Sequence, residues 1–264
     1  MTSIRKYPRT RHVLDSRLQP GDTDLSAANF AEIAGRHLVI EEKVDGANAA
    51  MSFDAAGRLR LQSRGHYLTG GPRERHFNLL KRWAHTIADA IRPVLSDRYI
   101  VYGEWVYAKH TIFYDALPHY FLEFDVLDLA TETFLSTPER RQLLVGLPFC
   151  SVRVLREGSI ENPAALKGLI GPTAYKTSLW RARLADAAEA APHRRDLVER
   201  QTDPSDLMEG LYIKVEEGGR VVERFKYIRA DFLTSVLDSE SHWQSRPILP
   251  NRLAVGVSMI AFPE

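Results

Sequence analysis

Apolar positions recur along this chain in two rhythms, and the switch between them marks out the elements. His37–Lys43 is a short run rich in Val and Ile. In the next run Ala47, Ala49, Met51 and Phe53 fall on one face by alternation, so two strands are predicted to meet around Asp45-Gly46. Leu59 and Leu61 alternate with Arg58, Arg60 and Gln62 in a third strand that runs to Arg64. The rhythm then lengthens: Phe77, Leu80, Trp83, Ile87, Ile91 and Leu95 are spaced by three or four residues, which predicts an amphipathic helix ending near Pro93. Aromatic and β-branched residues return densely in Tyr99–Tyr107 and His119–Leu127, as in strands.

Further along, Thr137-Pro138 reads as a cap followed by a first-turn proline, opening a short helix through Leu144. Val152–Leu155 reads as a strand, and an alanine-rich helix is expected from about Ser178 to Arg200 with an interruption at Pro192. Glu209–Glu216 and Val221–Ile228 flank Glu217-Gly218-Gly219, a hairpin signal. A last helix is expected from Asp231 to about Trp243. Antiparallel strands with interspersed helices place the chain in the α+β class, with no internal repeat.

Composition narrows the classes. With 264 residues, 44% of them hydrophobic and 26% charged, disorder and fibrous architectures are excluded. No apolar run is long enough for a membrane helix and the start of the chain has no apolar signal core, so no membrane partner and a cytoplasmic location are expected. A single cysteine, Cys150, excludes an internal disulfide and a thiolate zinc cluster. The net charge of +1 favours no partner, but its distribution does. Arg58, Arg60, Arg64, Arg73, Arg75, Lys81 and Arg82 face only Glu74 between Gly57 and His85, so a polyanion is a plausible ligand of that stretch.

Nucleotidyl transfer through a covalent intermediate needs an amine that is neutral when it attacks. Lys43-Val44-Asp45-Gly46 offers a lysine at a strand end, with a glycine where a nucleotide could approach closely; by itself the tetrapeptide is equally a surface turn. Downstream of it, in order, come Ser63-Arg64-Gly65, Tyr102-Gly103-Glu104, Phe121-Leu122-Glu123-Phe124-Asp125, Glu209-Gly210 and Arg224-Phe225-Lys226. In that order and spacing the chain, from about Arg36 to Arg229, resembles the covalent nucleotidyltransferase superfamily of ligases and capping enzymes. Glu42-Lys43-Val44-Asp45-Gly46-Ala47-Asn48 looks most like the RNA ligases related to the double-strand-repairing enzyme of phage T4, and the run Gly103–His110 looks like bacterial RNA ligases.

The resemblance implies an ATP-grasp-like nucleotidyltransferase fold and an ATP-dependent polynucleotide ligase that joins 5′-phosphate and 3′-hydroxyl ends through lysyl-AMP. It implies Lys43 as nucleophile, with Lys226 and Glu209 beside it in the reaction. Glu42, Asp45, Gly46, Asn48, Arg64, Glu104, Phe124, Lys214 and Arg224 would contact the nucleotide. Glu104 suits the ribose hydroxyls, Arg64 the ribose or a phosphate edge, and Phe124 or its competitor Phe121 the adenine face. Arg224 and Lys226 would hold the α-phosphate and depress the pKa of Lys43; the pattern usually has lysine at the first of these positions, which leaves Lys214 as an alternative. Glu209, with Asp45 and Asp125, would hold Mg²⁺, or Mn²⁺ in its place.

Residues 36–229 are read as the nucleotidyltransferase domain, with an insertion at about 129–208. They come after a basic segment, 1–35, and precede a short helical tail, 230–264, which is too short for an appended oligonucleotide-binding barrel. RNA ends or a nicked duplex are the expected partner, and an end-healing enzyme a possible collaborator. A DNA ligase, a GTP-using capping enzyme and a non-catalytic RNA-binding module remain as alternatives. His110, His119 and His242 match no zinc spacing, and His66 and Tyr67 could touch the polynucleotide.

Overall fold

The computed structural model describes residues 4–18, 26–190, 195–232 and 248–259. Its strands are β1 (Arg11–His12), β2 (Leu38–Lys43), β3 (Ala47–Phe53), β4 (Leu59–Ser63), β5 (Tyr99–Trp105), β6 (Phe121–Asp128), β7 (Thr133–Leu135), β8 (Cys150–Ser151), β9 (Val154–Gly158), β10 (Gly210–Glu217) and β11 (Arg220–Ile228). The helices are α1 (Asn78–Leu95), α2 (Thr137–Leu144), α3 (Pro163–Lys167), α4 (Trp180–Ala190) and α5 (Arg195–Arg200). All the strands join one sheet in the order β4-β3-β5-β6-β7-β11-β10-β2-β9, antiparallel along that path, with β1 parallel to β11 and β8 parallel to β6.

That order, together with one short link, produces a cleft. β2 and β3 are joined by Val44–Gly46 alone, yet they stand six strand steps apart in the sheet. A flat sheet would separate them by about 29 Å at ~4.8 Å per strand. Three linking residues reach only about 14 Å from Lys43 to Ala47. The sheet therefore folds over, and the half β4-β3-β5-β6 faces the half β11-β10-β2-β9. Between them lies a core to which Ala50, Ile100, Tyr102 and Leu127 contribute from the first half, with Phe134 of β7, Tyr212 of β10 and Tyr7 of the N-terminal segment. On its outer side the first half is covered by α1, whose Leu80, Trp83, Ile87, Ile91 and Leu95 are buried against Met51, Phe53 and Val101.

The segment 129–208, expected as an insertion, is part of the sheet: it supplies β7, which bridges β6 to β11, and β9, which edges β2. The basic N-terminal segment also joins in, through β1 against Phe225 and Lys226. The expected helix over 178–200 is two helices, α4 and α5, and Pro192 lies outside the described residues. Of the strand expected at Val152–Leu155 only Val154 and Leu155 are in a strand, the start of β9, while β8 ends just before it at Ser151. Thr137 is the first helical residue rather than the cap, and its N–H and hydroxyl donate to Glu216. Most of the helix expected after Asp231, and His242 with it, lies outside the described residues. Among the described residues no helix is long and apolar enough to cross a membrane.

Candidate active site

Lys43 ends β2 on the rung it shares with Gly210 of β10. Its Nζ donates to Glu209 Oε2 at 2.7 Å; the lysine side chain is 21% exposed, the glutamate 1%. Burial pulls the ammonium pKa down, but Glu209, Glu104 and Asp45 outweigh it and the net shift is upward. Glu104 comes from the other half of the sheet, where it pairs in register with Asn48. Burial, opposed by Lys43 and reinforced by Glu209 and Asp45, pushes the Glu104 carboxyl up to about 8. The expectation that Arg224 and Lys226 depress the Lys43 pKa is thus corrected: the charges that dominate around the nucleophile are negative. Such a site stores an ammonium that must lose a proton before attack, and it favours a cation arriving with a polyphosphate.

Three glycines are required by close approach. A Cβ on Gly46 would lie 2.7 Å from Val106 Cγ1 and 2.8 Å from the Trp105 carbonyl. On Gly103 it would lie 2.5 Å from the Phe121 ring, and on Gly210 2.0 Å from the Tyr227 carbonyl. They let β2, β5 and β10 converge where Lys43, Glu104 and Glu209 meet.

Deeper in the cleft, Phe124 and Tyr212 stand with ring centroids 6.1 Å apart and planes 39° apart, both half-buried. Phe121 is fully buried in the core under α1, so Phe124 is the aromatic face that the cleft presents. Tyr212 shares the face of β10 and β2 that carries Lys43, one residue pair further along. At that separation the two rings pack against each other, and a flat heterocycle would stack on their open faces rather than enter between them. Asn48 Oδ1 is buried with no hydrogen-bond partner among the described residues, an acceptor awaiting a donor. Arg64 is exposed at the end of β4, close enough to act on Glu104. Lys226 pairs in register with Tyr212 and lies on the same face.

Four expected contacts go elsewhere. Glu42 points to the opposite face of β2 from Lys43, as strand alternation requires, and its carboxylate accepts from the Thr173 hydroxyl. Lys214 is fully buried and bound to Glu41 at 2.9 Å and Asp125 at 3.2 Å, and donates to the Phe124 carbonyl, so it is no phosphate contact. Arg224 donates from Nε to Asp125 at 2.9 Å and lies 3.9 Å over the Phe134 ring. Asp125, held at about 2 against burial by Arg224, Lys214 and Arg140, is committed to those cations rather than to a metal. These groups belong to a buried ladder of alternating charge that continues from Glu41 to Arg140 at 3.0 Å and from Arg140 to Glu123 at 3.5 Å.

Among the described residues no group of three or more metal-binding side chains is preassembled. Asp45 spends Oδ2 on the Thr111 and Ile112 backbone N–H groups at 2.6 and 2.8 Å. Glu209 and Glu104 are therefore the carboxylates that fit a Mg²⁺ brought in on phosphate oxygens, an ion that needs only one or two protein carboxylates. The basic stretch after Gly57 is partly self-compensated, since Arg58 and Arg60 pair with Asp54 and Lys81 with Glu74.

Sequence reasoning missed Tyr212, Glu41 and Tyr7. The alternation Gly210, Tyr212, Lys214 could have pointed to the first; nothing local signals that Tyr7 reaches the cleft.

A model of the RNA ligase family matches residues 36–228. Solved structures similar to this chain include a Naegleria gruberi RNA ligase with pyrophosphate, 18% identical with a TM-score of 0.52 over 79% of this chain and 54% of that one. A mutant RNA ligase of the same organism with ATP and manganese is 15% identical, with a TM-score of 0.50 over 84% and 60%. An archaeal ATP-dependent RNA ligase is 18% identical, with a TM-score of 0.48 over 86% and 49%. The chain spans about half the length of the solved structures it matches. No curated protein sequence matches it.

Proposed function

The chain belongs to the RNA ligase family, and from that premise we propose that it is an ATP-dependent RNA ligase whose nucleophile is Lys43. The observation that carries the reading is the Lys43 ammonium, 2.7 Å from Glu209 on the strand face that also carries Tyr212, and acted on by Glu104 from the facing half of the sheet. With adenine stacked on the aromatic pair of Phe124 and Tyr212, the ribose falls toward Glu104 and Asn48 and the α-phosphate toward Lys43 and Lys226. Lys43 gives up a proton and its amine attacks the α-phosphorus. The N–P bond forms as the bond to pyrophosphate breaks, with Lys226 balancing charge on the phosphoryl oxygens. A 5′-phosphate oxygen of the polynucleotide then attacks the AMP phosphorus and the lysine takes a proton back. Finally a 3′-hydroxyl attacks the activated 5′-phosphorus and AMP leaves. A Mg²⁺ held by Glu209 and Glu104 would neutralise phosphate charge when bound.

Incubation with α-labelled ATP is expected to label the protein, and Lys43→Ala is expected to abolish the label. A labelled Lys43→Ala protein would overturn the assignment, and labelling by GTP instead of ATP would favour a capping enzyme. Sealing of matched nicks tests the substrate: a requirement for ribonucleotides at the 3′-hydroxyl end supports the RNA reading, and equal sealing of all-DNA nicks overturns it. Since both ends must carry the right groups, an enzyme class that leaves 5′-phosphate and 3′-hydroxyl termini is the collaborator this chemistry calls for.

A further inference from the structure

The N-terminal segment lies outside the family-matched residues, yet it runs through the floor of the cleft. At one end the Arg5 carbonyl accepts hydrogen bonds from Tyr102 Oη and Gln62 Nε2, both at 2.8 Å, tying the segment to β5 and β4. At the other, β1 runs beside Phe225 and Lys226, and the Val13 N–H donates to the Lys226 carbonyl at 2.9 Å. Between these anchors, Tyr7 is 7% exposed and Thr10 6%.

The hydroxyls in between form a chain with one direction. Asp125 is an ionised carboxylate held by Arg224 and Lys214, so it only accepts, and Tyr7 Oη donates to it at 2.5 Å. With its proton so used, Tyr7 Oη must accept from Tyr212 Oη at 2.7 Å. Tyr212 Oη in turn accepts from Thr10 Oγ1 at 3.1 Å. The Tyr212 hydroxyl is therefore held from both sides by the N-terminal segment. Tyr7 also sets its ring edge-on to Phe124, centroids 5.1 Å apart and planes 76° apart. Both rings of the aromatic pair thus rest on one residue.

We infer that Tyr7 is a positioning residue for the nucleotide base: with Thr10 it fixes Tyr212 and it buttresses Phe124, the aromatic pair on which the base would stack, so ATP affinity depends on a segment that the family match does not include. The inference rests on the ATP-ligase reading of the site. Tyr7 touches neither phosphate nor Lys43, so its effect falls on binding rather than on the adenylylation step.

The test measures, for wild type, Tyr7→Phe and Thr10→Val, the dissociation constant for Mg-ATP by calorimetry and the ATP dependence of lysyl-AMP formation. Tyr7→Phe removes only the hydroxyl and is expected to raise both the dissociation constant and the half-saturating ATP about 5- to 20-fold, the scale of one or two lost hydrogen bonds. The rate at saturating ATP should stay within about twofold. Thr10→Val should shift the same constants less, and it carries the test if Tyr7→Phe does not fold. In a Tyr212→Phe background, Tyr7→Phe should add nothing further. A merely structural role would lower yield or stability and leave the half-saturating ATP in place. Unchanged ATP constants in both variants, with a wild type that labels normally, would overturn this inference alone, whereas a wild type that never labels with ATP would overturn the ligase reading itself.

Discussion

At the scale of single residues, proton balance around Lys43 decides the chemistry. Because the Glu209 and Glu104 carboxylates raise the ammonium pKa above its ordinary value, the amine is scarce near neutrality. Initial rates of lysyl-AMP formation should therefore rise with pH from 6 to 9, approaching tenfold per unit. Higher Mg²⁺ should move the profile to lower pH, because a cation beside those carboxylates cancels the field that holds the proton. A flat profile would mean that Lys43 is already neutral. Glu104 gives a stability prediction of opposite sense to an ordinary ion-paired acid. Its folded pKa, about 8, lies above the ordinary 4.5, so the folded state keeps a proton that the unfolded chain has released. This group's contribution to stability therefore falls as pH rises from 4.5 to 8. Glu104→Gln should gain on wild type over that window, by about 1–3 kcal/mol at pH 8 in urea unfolding, while adduct formation drops. Equal pH dependence in the two proteins would refute the shift. Lys43, Glu104 and Glu209 were legible in the sequence because each sits in a short motif. Their mutual field was not, because it depends on the gap between two halves of a sheet.

Elements converge on the site only where side chains permit. Gly210 brings β10 against β11 so tightly that a Cβ would lie 2.0 Å from the Tyr227 carbonyl, backbone against backbone. Gly210→Ala should cost about 3 kcal/mol, the upper end for overpacking, in a denaturant midpoint measurement. Gly65→Ala, with nothing within 4 Å of the added carbon, should stay within about 0.5 kcal/mol. The charge ladder ties β2, β6, β10, β11 and α2 together through groups with side chains almost wholly buried. Lys214→Met would leave Glu41 to Arg140 alone and Asp125 to Arg224 and Tyr7, and removing one cation from this buried network should cost up to about 3–5 kcal/mol. Adding Glu41→Gln should recover part of that loss, giving a coupling above about 1 kcal/mol in a double-mutant cycle. Strand alternation put Arg224 and Lys226 on one face of their strand, and Lys214 pairs with Arg224 in register on that face. Alternation could not tell that Asp125 would claim both Lys214 and Arg224, since that partner arrives from a strand about 90 residues away in sequence.

For the molecule as a whole, the fold-over makes the two half-sheets share one ligand. ATP in the proposed site, against Phe124, Tyr212, Glu104 and Lys43, would stabilise both halves at once, so unfolding should stay a single transition that shifts upward with nucleotide. At 100 times its dissociation constant the gain is about 2.7 kcal/mol. That corresponds to roughly 5–10 °C in a thermal melt of a chain this size, with Mg²⁺ present. Two transitions, of which nucleotide moves only one, would show that the halves are not joined through the site.

The succession of strands along the chain, the amphipathic α1 and the hairpin at Gly218-Gly219 come from local spacing, because periodicity and turn chemistry act over a few residues, while Lys43 as nucleophile is proposed from the ordered motifs that it heads. Alternation within one strand already turns Glu42 away. The tertiary structure alone decided which carboxylates surround Lys43 and that segment 129–208 completes the sheet. It also decided that Tyr7 and Tyr212 meet in the cleft. Each of these depends on the three-residue link that folds the sheet over, and contacts made across that fold leave no periodic trace in the chain.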